Sequence, residues 1–241
     1  MIDFGPVFWE LLGCFVPALI CLWFWLKEDF NHPEPVRLII AAFLGGMLVV
    51  PFALVLEKTA HAYTQSVFLL FIIWAAIEEI LKFGAAYFIA FRKECIDKIR
   101  CINYTMDPII YIITVALGFS AVESTLFLIN PLLEGDLWGG LVTGNLRFIG
   151  ATVLHAASSG IIGVAMGLSF YKNPAYKKLF IGLGICTAIV LHALFNISII
   201  SSKEGSLFII FGILWMVVFA LLAVFERVKR IRKTNRIKGF P

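Results

Sequence analysis

The chain has 241 residues, 61% of them apolar and 15% charged, with a mean hydropathy of +0.94. That balance excludes an ordinary soluble domain, in which about a quarter of the residues are charged. The formal net charge of +4 is gathered in short loops and a terminal tail, which makes it a matter of membrane topology rather than of nucleic-acid binding.

Seven stretches are long enough to cross about 30 Å of hydrocarbon at about 1.5 Å per residue. They are roughly 4–26, 36–56, 66–91, 107–129, 146–170, 178–200 and 206–226. The expected fold is therefore all-α: a polytopic transmembrane helix bundle of about seven spans, one membrane-embedded domain over residues 1–241. The connections are short, so chemistry has to be done inside the bundle.

The first segment begins at Asp3 rather than a basic region and its apolar run is too long for a secretory signal, so it is expected to stay attached. Pro17 and Pro51 mark potential kinks in segments one and two. Basic residues set the orientation. Lys27 and Arg37, then Arg92, Lys93, Lys98 and Arg100, then Lys172, Lys177 and Lys178 follow segments one, three and five, and the tail 227–241 is basic throughout, whereas the opposite loops hold only Lys58 and Lys203. The N-terminus is expected outside and the C-terminus in the cytoplasm, with the tail resting on anionic lipid. Five scattered cysteines, Cys14, Cys21, Cys95, Cys101 and Cys186, form no CxxC metal pattern. No internal repeat and no Pro-rich or Gly/Ser-rich linker divides the chain.

Segment three carries Glu78, Glu79 and Lys82; segment four, Glu123; segment five, His155; segment six, His192 and Asn196. A charged side chain near a bilayer centre costs about 2.5 kcal/mol or more even on mild scales, so these groups are expected to face one another or a water-filled cavity. Counted from the outer helix ends, Glu78, His155, His192 and Glu123 fall within about 9 Å in depth, which allows a shared layer. Lys82 lies three and four residues after Glu79 and Glu78, so it can pair with either carboxylate and leave the other for work. Glu78 is the expected chemical group and Glu79 its support. His192 and Asn196, four residues apart on one helix face, can donate to an oxyanion.

Each feature has a structural alternative. The Glu–Lys pair alone reads as a register-fixing salt bridge, either histidine or Asn196 as interhelical glue, and the Gly160, Gly163, Gly167 stripe with Ser158 and Ser159 as close packing. Glu123 reads as a partner for Arg147 or a hydroxyl, and Asp107, beside Pro108, as a helix N-cap at the cytoplasmic edge. Their coincidence in four consecutive segments favours a site within about 66–200.

Together EEILK (78–82), GFSAVES (118–124), the histidine of ATVLHAASSGIIG (151–163) and LHALFN (191–196) resemble the PrsW-type intramembrane proteases, which are related to the CAAX prenyl proteases. The match covers about 120 residues in the family's order; it departs at Glu123-Ser124, where the family usually reads Glu-Asn. The resemblance implies a bacterial, multi-pass enzyme of the cell membrane that makes site-1-type cuts in a single-pass membrane protein such as an anti-sigma factor, starting a stress-signalling cascade. It implies Glu78, Glu79, Glu123, His155, His192 and Asn196 as site residues. Water activated by Glu78 and His155 would attack the scissile carbonyl while His192 and Asn196 hold the oxyanion. No cofactor is needed on that reading; the alternative holds zinc through Glu78, His155 and His192. In another class, a proton-coupled transporter would also place Glu, Lys and His at mid-membrane, although it commonly shows repeats and broken helices. The partners expected are the substrate and the lipid bilayer, with no nucleic acid.

Overall fold

The computed structural model describes residues 4–28, 33–91, 103–134, 137–202 and 206–231, with side chains throughout except at 4–12 and 128–149. Among them are seven helices: α1 (Phe4–Glu28), α2 (Val36–Tyr63), α3 (Val67–Ala86), α4 (Asp107–Glu134), α5 (Leu137–Leu168), α6 (Pro174–Ile200) and α7 (Leu207–Lys229). A π-helical turn, Tyr87–Phe91, extends α3. The chain is an all-helical membrane bundle. Among the described residues, α2, α6, α7 and stretches Asp107–Phe127 of α4 and Gly150–Leu168 of α5 are long and apolar enough to cross a bilayer.

Local chemistry accounts for the helix starts. The Ser66 hydroxyl accepts from the Leu69 N–H at the start of α3, and the Asn173 side chain accepts from the Tyr176 N–H with Pro174 at the first helical position of α6. Helix α2 runs past the expected boundary at 56 to Tyr63, because Glu57 and Lys58 end an apolar run without interrupting backbone hydrogen bonding. Asp107 differs from its expected capping role. It is the first residue of α4, and its carboxylate accepts from the preceding N–H groups of Asn103 (2.5 Å) and Tyr104 (2.8 Å), holding the entering chain instead of the helix that follows. Of the cysteines described, Cys14 is buried, Cys21 half-buried and Cys186 exposed. The loop cations at 92–100, Lys203, and the tail from residue 232 lie outside the described residues.

Helix α4 is the centre of the bundle, packed against α1, α2, α3 and α5, and α5 in turn against α6 and α7. Ile109, Ile110, Ile112, Ile113 and Leu117 of α4 are completely buried. Two glycines let α2 meet α4 backbone to backbone. A Cβ at Gly46 would stand 1.9 Å from the Val115 carbonyl oxygen, and one at Gly118, 2.0 Å from that of Phe43. Lys229, the last residue of α7, pairs with Glu28, the last residue of α1, at 2.7 Å. This frame places one face each of α3, α4, α5 and α6 around a common interior.

Candidate active site

The four ionisable side chains expected to share a layer, Glu78, Glu123, His155 and His192, meet in that interior together with Glu79 and Lys82. Glu78, Glu79 and Lys82 come from one face of α3, Glu123 from α4, His155 from α5 and His192 from α6. All but Glu123 are buried, and the Glu123 side chain keeps 22% exposure. Burying so many charges is tolerable only where each is paired or hydrogen-bonded.

Glu79 is saturated. Its Oε1 accepts from Lys82 Nζ at 2.6 Å, His192 Nδ1 at 2.9 Å and the Ser158 hydroxyl at 2.9 Å, and its Oε2 accepts from the Ser159 hydroxyl at 2.8 Å. Four donors use the roughly four acceptor positions of a carboxylate. Glu78 is the reverse: its Oε2 is buried with no hydrogen-bond partner. Around that oxygen stand Lys82 Nζ at 3.8 Å, His155 Nδ1 at 3.8 Å and His192 Nε2 at 3.7 Å.

The imidazoles are oriented by carboxylates. His155 Nε2–H donates to Glu123 at 2.6 Å, and His192 Nδ1–H donates to Glu79 at 2.9 Å. Each histidine therefore turns its other nitrogen, His155 Nδ1 and His192 Nε2, inward as a lone pair toward Glu78. The two rings meet edge to face with centroids 5.0 Å apart. Lys82 also donates to His155 Nδ1 at 2.9 Å, and its ammonium lies over the Phe119 ring, 5.0 Å from the centroid.

Glu78, His155 and His192 each present one ligand atom, all within 4.8 Å of one another. Two imidazoles and a carboxylate are a set that zinc accepts with one position left for water, and the histidine N–H bonds to Glu123 and Glu79 are the outer support such sites use. The residues fit a divalent ion in number and type, with one competitor: the His155 lone pair is already taken by the Lys82 ammonium.

Asn196, one turn beyond His192 on α6, makes no hydrogen bond with the described residues, so its carboxamide keeps its donors. Glu123 pairs with His155; the Arg147 side chain lies outside the described residues. Sequence reasoning missed Ser158 and Ser159, which it took as small packing residues. Their signal was positional: they lie three and four residues after His155, on its helix face, and carry hydroxyls in a stripe otherwise of alanine and glycine.

A family model described as PrsW family intramembrane metalloprotease matches residues 34–223. Curated relatives, each named Protease PrsW, include those of Halalkalibacterium halodurans, 25% identical with 91% of this chain and 93% of the relative covered, and Oceanobacillus iheyensis, 28% identical with 92% and 95% covered. The relative from Bacillus subtilis is 24% identical, with 90% of this chain and 92% of that protein covered. No solved structure matches the chain.

Proposed function

The chain belongs to the PrsW family of intramembrane proteases and is a multi-pass bacterial membrane peptidase, and from that premise we propose that it cuts a single-pass membrane protein with a water activated by Glu78. An anti-sigma factor is the substrate that the motif resemblance implies. The single observation that carries the reading is the buried, unpartnered Oε2 of Glu78, ringed at 3.7–3.8 Å by Lys82, His155 and His192.

A water against that oxygen gives its proton to Glu78 while the inward lone pair of His192 Nε2 orients it. The resulting hydroxide adds to the scissile carbonyl, and the oxyanion takes hydrogen bonds from Asn196 and the Lys82 ammonium. As the C–N bond breaks, Glu78 returns the proton to the leaving amine. Glu79 takes no proton; it neutralises Lys82 and fixes His192. Glu123 fixes His155. With these roles the catalytic part occupies about 66–200 of one domain, with the N-terminus outside and the C-terminus cytoplasmic.

The three-ligand geometry favours a second reading, in which Glu78, His155 and His192 hold zinc once Lys82 leaves His155. When bound, the ion would act as a Lewis acid and lower the pKa of a coordinated water. Lys82 would then keep only its bond to Glu79, and the second-layer roles of Glu79 and Glu123 would be unchanged.

The test in cells compares a strain lacking the chain with strains restored by wild type or by Glu78→Gln at equal membrane levels. Single-pass proteins that stay full-length without the chain and are cut only in the wild-type strain support the reading. Loss of a proton-dependent flux on Glu78→Gln, with every membrane protein equally processed in both strains, would overturn it in favour of transport.

A further inference from the structure

One cavity opens onto the cluster and extends beyond it. A cleft of about 200 Å³ lies between α2 and α4, lined by Val50, Ala53, Leu54 and Glu57 on one side and by Phe119, Glu123, Leu126 and Phe127 on the other. The α2 residues recur at i, i+3, i+4 and i+7, a single helix face. The cleft begins where the backbone contact at Gly46 and Gly118 ends. Its floor is the reactive cluster: Glu123 holds His155 at 2.6 Å, and Phe119 lies against the His155 ring, centroids 5.5 Å apart.

Glu57 is the cleft's second carboxylate. The Trp74 indole N–H donates to its backbone carbonyl at 3.2 Å, which pins this turn of α2 to α3. Its carboxylate makes no hydrogen bond or ion pair with the described residues and so keeps its acceptor positions open toward the cleft, whereas Glu123 is engaged by His155.

We propose that this cleft receives the substrate segment beside the scissile bond and that Glu57 is a specificity-determining residue, accepting hydrogen bonds from N–H groups of that segment. The inference rests on the proteolytic reading above. A peptide bond inside a helix is shielded by its own turn, so the substrate must unwind to be cut, and every N–H freed in the membrane needs an acceptor. The cleft offers what an unwound membrane segment requires: apolar walls for its side chains and a carboxylate for its donors. At about 30 Å³ per water, a cleft of this size holds several waters, which the segment would displace. The donor is either a freed backbone amide or a lysine or arginine side chain flanking the cut, and the two have distinct signatures.

The experiment maps new protein N-termini across the membrane proteome of cells carrying the full chain as wild type, Glu78→Gln, Glu57→Gln, Glu57→Leu or Leu54→Trp at matched levels. Cuts present in wild type and absent in Glu78→Gln are the enzyme's own; if there are none, the proteolytic reading fails and this inference with it. Among those cuts, Glu57→Leu is expected to slow cleavage about tenfold, the loss of one charge-assisted hydrogen bond. Leu54→Trp, which fills the cleft from the α2 side, is expected to slow it comparably. A uniform slowing in Glu57→Leu, partly rescued in Glu57→Gln by the amide oxygen, identifies the donor as backbone. A selective loss of cuts flanked by lysine or arginine, in both variants, identifies it as a side chain. Glu78-dependent cuts that keep their rates and flanking sequences in all three cleft variants would overturn the inference while leaving the proteolytic reading intact.

Discussion

Glu78 and Glu79 are neighbours on α3 with opposite bonding: Glu79 accepts four hydrogen bonds from Lys82, His192, Ser158 and Ser159, and the Glu78 Oε2 accepts none. Successive residues on a helix point about 100° apart, so one carboxylate is directed among the donors of α5 and α6 and the other between the inward nitrogens of His155 and His192. The two are therefore expected to fail differently. Glu78→Gln should reduce cleavage by about 10²–10⁴-fold, the usual contribution of a general base, with the melting temperature in detergent almost unchanged. Glu79→Gln should destabilise the bundle by about 3–5 kcal/mol, because it removes the charge that neutralises a fully buried ammonium. Thermal unfolding of the two purified variants checks this, and an equal loss of stability in both would refute the division of roles.

Glu123 acts through His155. Its 2.6 Å bond to Nε2 fixes the imidazole with Nδ1 inward, and Glu123→Gln lets the ring turn or change tautomer. Loss of such an outer partner typically costs about 10–100-fold in activity. The expected outcome is a fall in kcat of that size with KM little changed, measured on one substrate; a change confined to KM would assign Glu123 to the cleft alone.

The serines are graded tests of the Glu79 network. Ser158→Ala and Ser159→Ala each remove one donor to a buried carboxylate, at about 1.5–3 kcal/mol for a hydrogen bond to a charged group. Each should lower stability in that range and leave residual cleavage, and the double variant should approach Glu79→Gln. Wild-type stability in the double variant would mean that Lys82 and His192 satisfy Glu79 unaided.

Gly46 and Gly118 are predicted to tolerate no side chain. Their added Cβ atoms would lie 1.9 Å and 2.0 Å from backbone carbonyl oxygens of the facing helix, so α2 and α4 would have to separate at the lower edge of the cleft. Gly46→Ala should cost about 1–3 kcal/mol from overpacking. Gly84→Ala, where a Cβ meets nothing within 4 Å, should instead gain roughly 0.5–1 kcal/mol. Detergent melts of the two variants decide between a specific α2–α4 contact and general sensitivity to glycine replacement.

The helices and their meeting point were legible because membrane physics leaves strong marks. Apolar runs of about 20 residues announce the spans, and ionisable groups within them are rare enough that Glu78, Glu79, Lys82, Glu123, His155 and His192 drew attention together. Who bonds whom was not legible. Helical spacing allowed Lys82 either glutamate, and only the rotation of α3 against α5 brings Ser158 and Ser159 to Glu79. Glu123 had Arg147 as a sequence-level partner, and its bond to His155 was not among the pairings the spacing suggested. Glu57 escaped notice because it sits where hydropathy falls, at the edge of an expected span, while α2 continues for nearly two more turns and turns that residue toward α4.

The most direct measurement is cleavage of a single-pass substrate, identified from the cellular comparison, by the purified protein in detergent or liposomes, with bound metal assayed. Wild type, Glu78→Gln and His155→Ala are each run with and without a strong zinc chelator. The account predicts cleavage by wild type that survives chelation, with no stoichiometric metal, and loss in both variants. Loss of wild-type activity on chelation, restored by zinc, would transfer the three ligand atoms of Glu78, His155 and His192 to a metal, and cleavage that persists in both variants would contradict the site itself.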